Sequence, residues 1–254
     1  MRYTKGINTY LLMLALLVCN AAYTQKQTTH HEQVWLGYFN QTRLSEKWGV
    51  WAEGQLRTKE NLFTNFSQSI ARIGLTYYVN NDTKLTGGYA YVNHFPADSH
   101  SEISMPEHRI WQQLQWHTRY KTIRLMQWFR LEERYRRKVK DSDELADGYN
   151  FNWRARYNFF LSKALSRNAF APKTFSFIVN DELHVNFGKE IVNNYFDQNR
   201  FFLGFAYHLN AHDNFQFGYM NVFQQLSAGN RYREIHTVRL FYFQNLDLRK
   251  KQKN

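Results

Sequence analysis

This sequence is short of the features that staple, kink or anchor many chains. It has one cysteine in 254 residues, so no disulfide can form within the chain. That residue, Cys19, lies so near the N-terminus that a processed chain would carry no thiol at all. Only three prolines are present, which leaves little to interrupt long strands. The longest apolar run, Tyr10 to Cys19, holds about ten residues, too few to cross a hydrocarbon core of roughly 30 Å as a helix. Acidic residues are scarce beside basic ones, 21 against 33, for a net charge of +12. After residue 24 no segment keeps a helical period, and no G-x-S-x-G nucleophile turn or cofactor motif occurs.

The N-terminus has the three parts of a secretory signal. Arg2 and Lys5 precede the apolar run, and Asn20 to Thr24 supplies small residues. Ala22 and Thr24 suit the −3 and −1 positions, so a signal peptide over 1–24 with cleavage before Gln25 is expected. A retained anchor is disfavoured by the short run, and lipidation of Cys19 by Val18, which stands where a small residue is wanted. Export makes nucleic acid a poor partner for the positive charge. Outer-membrane lipids, including lipopolysaccharide phosphates, are the expected ones.

What is abundant is aromatic: 21 Phe, 17 Tyr and 7 Trp, 18% of the chain. Mean hydropathy is nonetheless −0.64. Both fit a membrane barrel, in which alternate residues meet lipid and the rest face a polar interior. The alternation is visible directly. From Asn150 to Leu161, Phe151, Trp153, Ala155, Tyr157, Phe159 and Leu161 fall on one face, and Asn150, Asn152, Arg154, Arg156 and Asn158 on the other. Lys173 to Phe187 and Arg200 to Leu209 repeat the pattern, with Asp181 the exception on an apolar face. Further strands are expected at 48–57, 67–79, 84–93, 107–119, 124–138, 215–226 and 232–243, plus a shorter one at 33–40. These lengths exceed the roughly 5–6 residues usual in soluble sheets and suit a tilted membrane crossing of about 9–11.

Connections alternate between short turns (80–82, 120–122, 210–214) and longer polar stretches (94–106, 140–148, 188–196, 227–231), as periplasmic turns and outer loops would. The stretch 162–172 breaks this order. Eleven segments are visible, but single-chain bacterial barrels normally have an even number, so an all-β, antiparallel up-and-down transmembrane barrel of about 10 or 12 strands is expected over residues 25–254.

The alternation assigns a set of charges to the interior: Glu53, Arg57, Arg72, Arg109, Arg130, Glu132, Arg134, Arg154, Arg156, Glu182, His184 and Arg200. Arg against lipid costs about 2–4 kcal/mol at mid-bilayer, which turns these groups inward. There they form either a rigidifying Arg–Glu lattice or an Arg-rich constriction that favours anions. Catalysis is a weaker reading. His184 and Glu182 share a face, yet Ser176 is well along the strand. His30-His31 and His94/His100/His108 are weak metal candidates, and no metal set or catalytic residue is assigned. Trp48, Trp116, Trp153, Tyr157 and Tyr207 suit interfacial girdles. A soluble periplasmic barrel holding an apolar ligand would need the reverse arrangement, with apolar residues inward and Arg130, Arg134, Arg154 and Arg156 outward.

One series of motifs runs through the mature chain: Val34-Trp35, then Trp48 leading to Glu53-x-Gln55-x-Arg57, Gly87-Gly88-Tyr89-x-Tyr91, and Glu107-His108-Arg109-Ile110-Trp111-Gln112-Gln113. It continues through Arg130-Leu131-Glu132-Glu133-Arg134, Arg154-x-Arg156-Tyr157, Asp181-Glu182, Phe196-Asp197-Gln198-Asn199-Arg200 and Gly218-Tyr219-Met220. In this order they resemble the uncharacterised bacterial outer-membrane β-barrel family called domain of unknown function 2490. The resemblance implies a barrel in the outer membrane of a Gram-negative bacterium and brings no established activity, cofactor or catalytic residue.

Overall fold

The computed structural model describes residues 26–59, 65–96 and 103–249. The expected signal peptide and cleavage point lie outside the described residues. Eleven strands close into one barrel: β1 (Gln27–Arg43), β2 (Trp48–Thr58), β3 (Phe66–Tyr78), β4 (Thr83–His94), β5 (Met105–Arg119), β6 (Ile123–Val139), β7 (Leu145–Ala164), β8 (Thr174–Phe187), β9 (Phe196–His208), β10 (Asp213–Gln225) and β11 (Arg231–Asp247). This number is consistent with the expected count of about 10 or 12, all eleven visible segments being strands, and closure explains how it can be odd. With eleven strands the last runs in the same direction as the first, so β1 and β11 meet in parallel along all 17 residues, Gln27 opposite Arg231 to Arg43 opposite Asp247. Every other neighbouring pair is antiparallel. The first strand is thus a full member rather than the short 33–40 segment. Its N-terminal half, Gln27 to Gln33, is polar on both faces and carries no period to read.

The faces follow from the alternation. Ile73 and Leu75 are 64% and 55% exposed on the outside, while their neighbour Arg72 is buried inside. Phe129, Leu183, Val185, Phe201, Leu203, Phe205 and Val238 continue the outer apolar belt. Arg130, Arg134, Arg154 and Arg156 are all buried. That is the reverse of what the soluble alternative required. Asp181 does face outward, where Asn199 Nδ2 donates to its Oδ1 at 2.9 Å. Trp48 lies against Tyr77 near the β2 start (5.1 Å), and Trp153 stacks on Phe187 near the other end (6.2 Å). Tyr157 is not at a rim: it sits near mid-strand opposite Phe129 and Leu183.

The two ends differ. One carries connections 44–47, 79–82, 120–122, 165–173 and 209–212; the other carries 59–65, 95–104, 140–144, 188–195 and 226–230. At the first end Asn80 Oδ1 accepts from the amides of Asp82 and Thr83, and Asn210 Oδ1 from those of His212 and Asp213. These side-chain turns reverse the strands without glycine. The irregular 165–173 connection holds Phe170 at φ 58°, a left-handed conformation costly for a bulky residue. Arg124 lies 3.9 Å from the Phe170 ring centroid.

Two places admit unusually close backbones. Gly74 faces Gly88 across β3 and β4, and a Cβ on Gly88 would fall 2.0 Å from the Ile73 carbonyl oxygen. Gly204 faces Gly218 across β9 and β10, where either Cβ would meet a carbonyl oxygen at 2.3 Å. The Trp111 ring lies over Gly74, and the Phe202 ring over Gly204 and Gly218. Both aromatic side chains are fully buried, one at the heart of each wall of the lumen.

Candidate functional site in the lumen

The wall around Trp111 is a charge lattice built from residues two apart on neighbouring strands. Glu132 on β6 is its hub. Arg154 donates Nε and Nη2 to Oε2 at 2.9 and 2.5 Å, and Arg156 donates Nη1 to Oε1 at 2.7 Å. Arg72 and Arg130 stand 3.6 and 3.8 Å from Oε1. Glu53 takes Arg72 Nη1 at 2.6 Å, with Trp51 and Gln55 donating to the same carboxylate. Glu107 is held by two forks: Arg109 at 2.7 and 3.1 Å, and Arg134 at 2.6 and 3.2 Å. Paired forks of this kind satisfy both oxygens of an acid, which a buried carboxylate requires. Arg130 and Arg72 also lie 4.7 and 5.5 Å from the Trp111 ring centroid.

The lattice continues through Glu182, which accepts from Arg156 and has Arg200 Nη1 at 3.5 Å. His184 Nε2 is 3.0 Å from Glu182 Oε1 but not aligned for a hydrogen bond. Asp197 receives Arg154 Nη1 at 3.0 Å. All twelve sequence-assigned residues therefore face the lumen. Ten are buried, and Arg57 and Arg200 are half-buried. Arg57 is not joined to a carboxylate; it donates to Gln55 and lies 3.6 Å from the Trp35 ring centroid.

Four inward charges escaped the sequence reading, two of them in the lattice and two outside it. Glu107 shares the parity of Arg109 and could have been found by it. Asp197 lies where β9 starts four residues earlier than its alternation shows, beside a register shift at His184/Val185. Lys84 is the one Lys or Arg in β4, and Arg239 is the one charge in the apolar stretch 238–243 of β11. The catalytic reading gains nothing from the geometry: Ser176 is fully buried and contacts Ser162 (2.9 Å) and His208 Nε2 (3.1 Å) rather than His184.

The histidine candidates separate. His94 bonds Glu107 inside at 2.7 Å, His108 faces outward against Tyr89, and His100 lies outside the described residues. His30, instead of pairing with His31, joins Glu234 and His236 across the β1–β11 seam, with potential ligand atoms within 4.8 Å of one another. This is the one grouping among the described residues with the donor set for a metal ion.

Opposite the lattice the lumen is apolar. Trp35, Ile178, Phe202, Ala206, Met220, Val222, Ile235 and Phe241 form a buried cluster, with Phe39, Phe160 and Phe243 packed on it. Between the two walls lies a cavity of about 770 Å³ that reaches the short-turn end, where Asn81, Phe170, Pro172 and His212 border it. A second cavity of about 220 Å³ lies toward the longer loops and is bordered by Arg57, Arg109, Arg134 and Asp197. Trp35, Gln55, Arg72, Arg156 and Arg200 border both, so these side chains form the partition at mid-height.

No curated protein and no solved structure matches this chain. A family profile does, over residues 32–233, which takes in most of β1 through the start of β11. The chain belongs to the family described as a protein of unknown function, DUF2490, and gives it the form of a closed eleven-stranded barrel with a charged and an apolar inner wall.

Proposed function

We propose that this protein is an outer-membrane β-barrel with a structural role, its lumen held shut at mid-height by the Arg–Glu lattice, and with a small residual permeability that favours anions. The observation that carries the reading is the reversal of faces along strands of 11 to 20 residues: apolar side chains outside, guanidinium and carboxylate groups inside. A barrel in water has no use for an outer belt of Ile73, Leu75, Phe129, Leu203 and Phe205, whereas lipid requires one. The expected signal peptide supplies the route to that membrane. Exposed Lys138, Lys189 and Arg231 at the longer-loop end support contact with lipopolysaccharide phosphates.

Fractionation tests the placement. The full chain is expected in the detergent-extracted outer-membrane fraction and to migrate faster on a gel unheated than boiled. Recovery wholly in the soluble periplasmic fraction, without a heat-dependent shift, would refute it. Planar-bilayer recordings test the permeability: small currents with anion preference are expected, because inward Arg outnumbers Glu and Asp. Cation preference would overturn the electrostatic reading, and the absence of current would remove the permeability and leave the structural role.

A further inference from the structure

Arg239 is a buried charge in the lumen that the lattice does not account for. It projects from β11 into the apolar wall, is 6% exposed, and borders the 770 Å³ cavity. Its guanidinium lies flat on Phe202, 3.4 Å from the ring centroid, and 4.9 Å from that of Phe241. Its hydrogen bonds go to neutral amides, Gln216 Oε1 at 3.1 Å and Asn180 Oδ1 at 3.4 Å, and its Nε has no partner. Among the described residues no carboxylate lies within 4.0 Å of it, and Glu182, whose field it feels, is already shared by Arg156, Arg200 and His184. A buried cation is stable only if paired or well solvated, so this one is poised for an anion.

Two further donors border the same cavity with no acceptor, Asn158 Nδ2 and Gln41 Nε2. Gln41 in turn accepts from Lys84 Nζ, a second buried cation without a carboxylate. From Arg239 toward the mouth, the inward side chains of β11 are Phe241, Phe243 and Asn245, a path of about 20 Å at roughly 3.4 Å per residue. Phe39 stacks on Phe243 at 4.6 Å and packs on Phe241 at 4.9 Å, which makes the path aromatic on two strands. The cavity therefore offers a cationic end and an apolar flank at once, within the roughly 300–1,000 Å³ typical of small-molecule sites.

The geometry points to a binding site for an amphiphilic anion, a medium-chain carboxylate or its sulfonate or phosphate equivalent. The anionic head is held by Arg239 with Asn158, and the hydrocarbon body lies along Phe241, Phe243 and Phe39. Entry is from the short-turn end, past Phe170. A plain inorganic anion would leave the apolar flank unused, and a neutral hydrocarbon would leave Arg239 unpaired.

The test uses the full mature barrel in lipid nanodiscs, with 8-bromooctanoate as a quencher of the cavity tryptophans Trp35, Trp51 and Trp128. Saturable quenching is expected, displaced by octanoate and not by acetate at the same concentration. Arg239→Gln should weaken it by roughly tenfold or more, the loss of one charge-assisted contact. 8-Bromooctanol should quench the wild type and this variant equally. Phe243→Gln, which keeps the charge, should weaken the carboxylate as well, and it keeps the test decisive where Arg239→Gln fails to assemble. Equal binding by wild type and Arg239→Gln, or displacement by acetate as effective as by octanoate, would overturn the proposal. A protein that fractionates with the outer membrane yet shows no saturable quenching refutes the ligand and leaves the membrane placement standing.

Discussion

The two inner walls of this barrel solve the same packing problem with opposite chemistry. On each, a pair of facing glycines brings two strands close and a fully buried aromatic ring fills the space above them: Trp111 beside Gly74 and Gly88, Phe202 over Gly204 and Gly218. On each, arginine lies on that ring, Arg130 and Arg72 on one, Arg239 on the other. The difference is in the acids. Around Trp111 the guanidiniums converge on Glu53, Glu107 and Glu132; around Phe202 no carboxylate lies within reach of Arg239. An acid held by two or more guanidiniums ties its strands together, and a buried guanidinium with no acid awaits a partner. The charged wall thus reads as scaffold and the apolar wall as the place where something binds.

The contrast can be broken by removing an acid from the charged wall. Glu132→Gln leaves Arg154 and Arg156 without their shared carboxylate and Arg130 without the one nearest it, while Arg72 keeps Glu53. We expect a loss of about 3–5 kcal/mol, toward the upper end because several guanidiniums depend on it. The urea midpoint for loss of heat-modifiable migration would report it, and a change below about 1 kcal/mol would mean the lattice is not structural. Phe202→Ala on the other wall should cost about 3 kcal/mol or more, since the ring is fully buried over the facing glycines.

Arg239→Met sharpens the comparison by sign. Replacing a buried cation that has no carboxylate with an apolar side chain of similar length should leave stability unchanged or raise it by about 1 kcal/mol. A loss as large as that of Glu132→Gln would place Arg239 in the scaffold after all. The smallest effect is expected outside both walls. Asp181→Asn, on the outer face opposite no cation, should shift the same midpoint by less than about 1 kcal/mol.

Much of this was legible in the amino-acid order, and the reason is the pleat. Side chains alternate strictly between faces, so a run such as Phe151 to Leu161 declares its two faces without any knowledge of neighbours. The inward position of Arg154, Arg156 and Glu182 followed from that alone. Where the alternation is masked, the reading stopped. Gln27 to Gln33 is polar on both faces, so β1 looked short, and Val238-Arg239-Leu240-Phe241 is apolar around a single charge, so Arg239 went unnoticed.

The sequence by itself thus determined an all-β barrel, its strands and which side chains point inward, because those depend on a period of two. Only the tertiary structure decided that the inward charges gather on one wall and the aromatics on the other. It also decided that an odd strand count is closed by a parallel β1–β11 seam and that Arg239 is left without an acid. Those are properties of ring closure and register. Residues separated by up to about two hundred positions meet across the lumen or the seam, and no local pattern records which of them will.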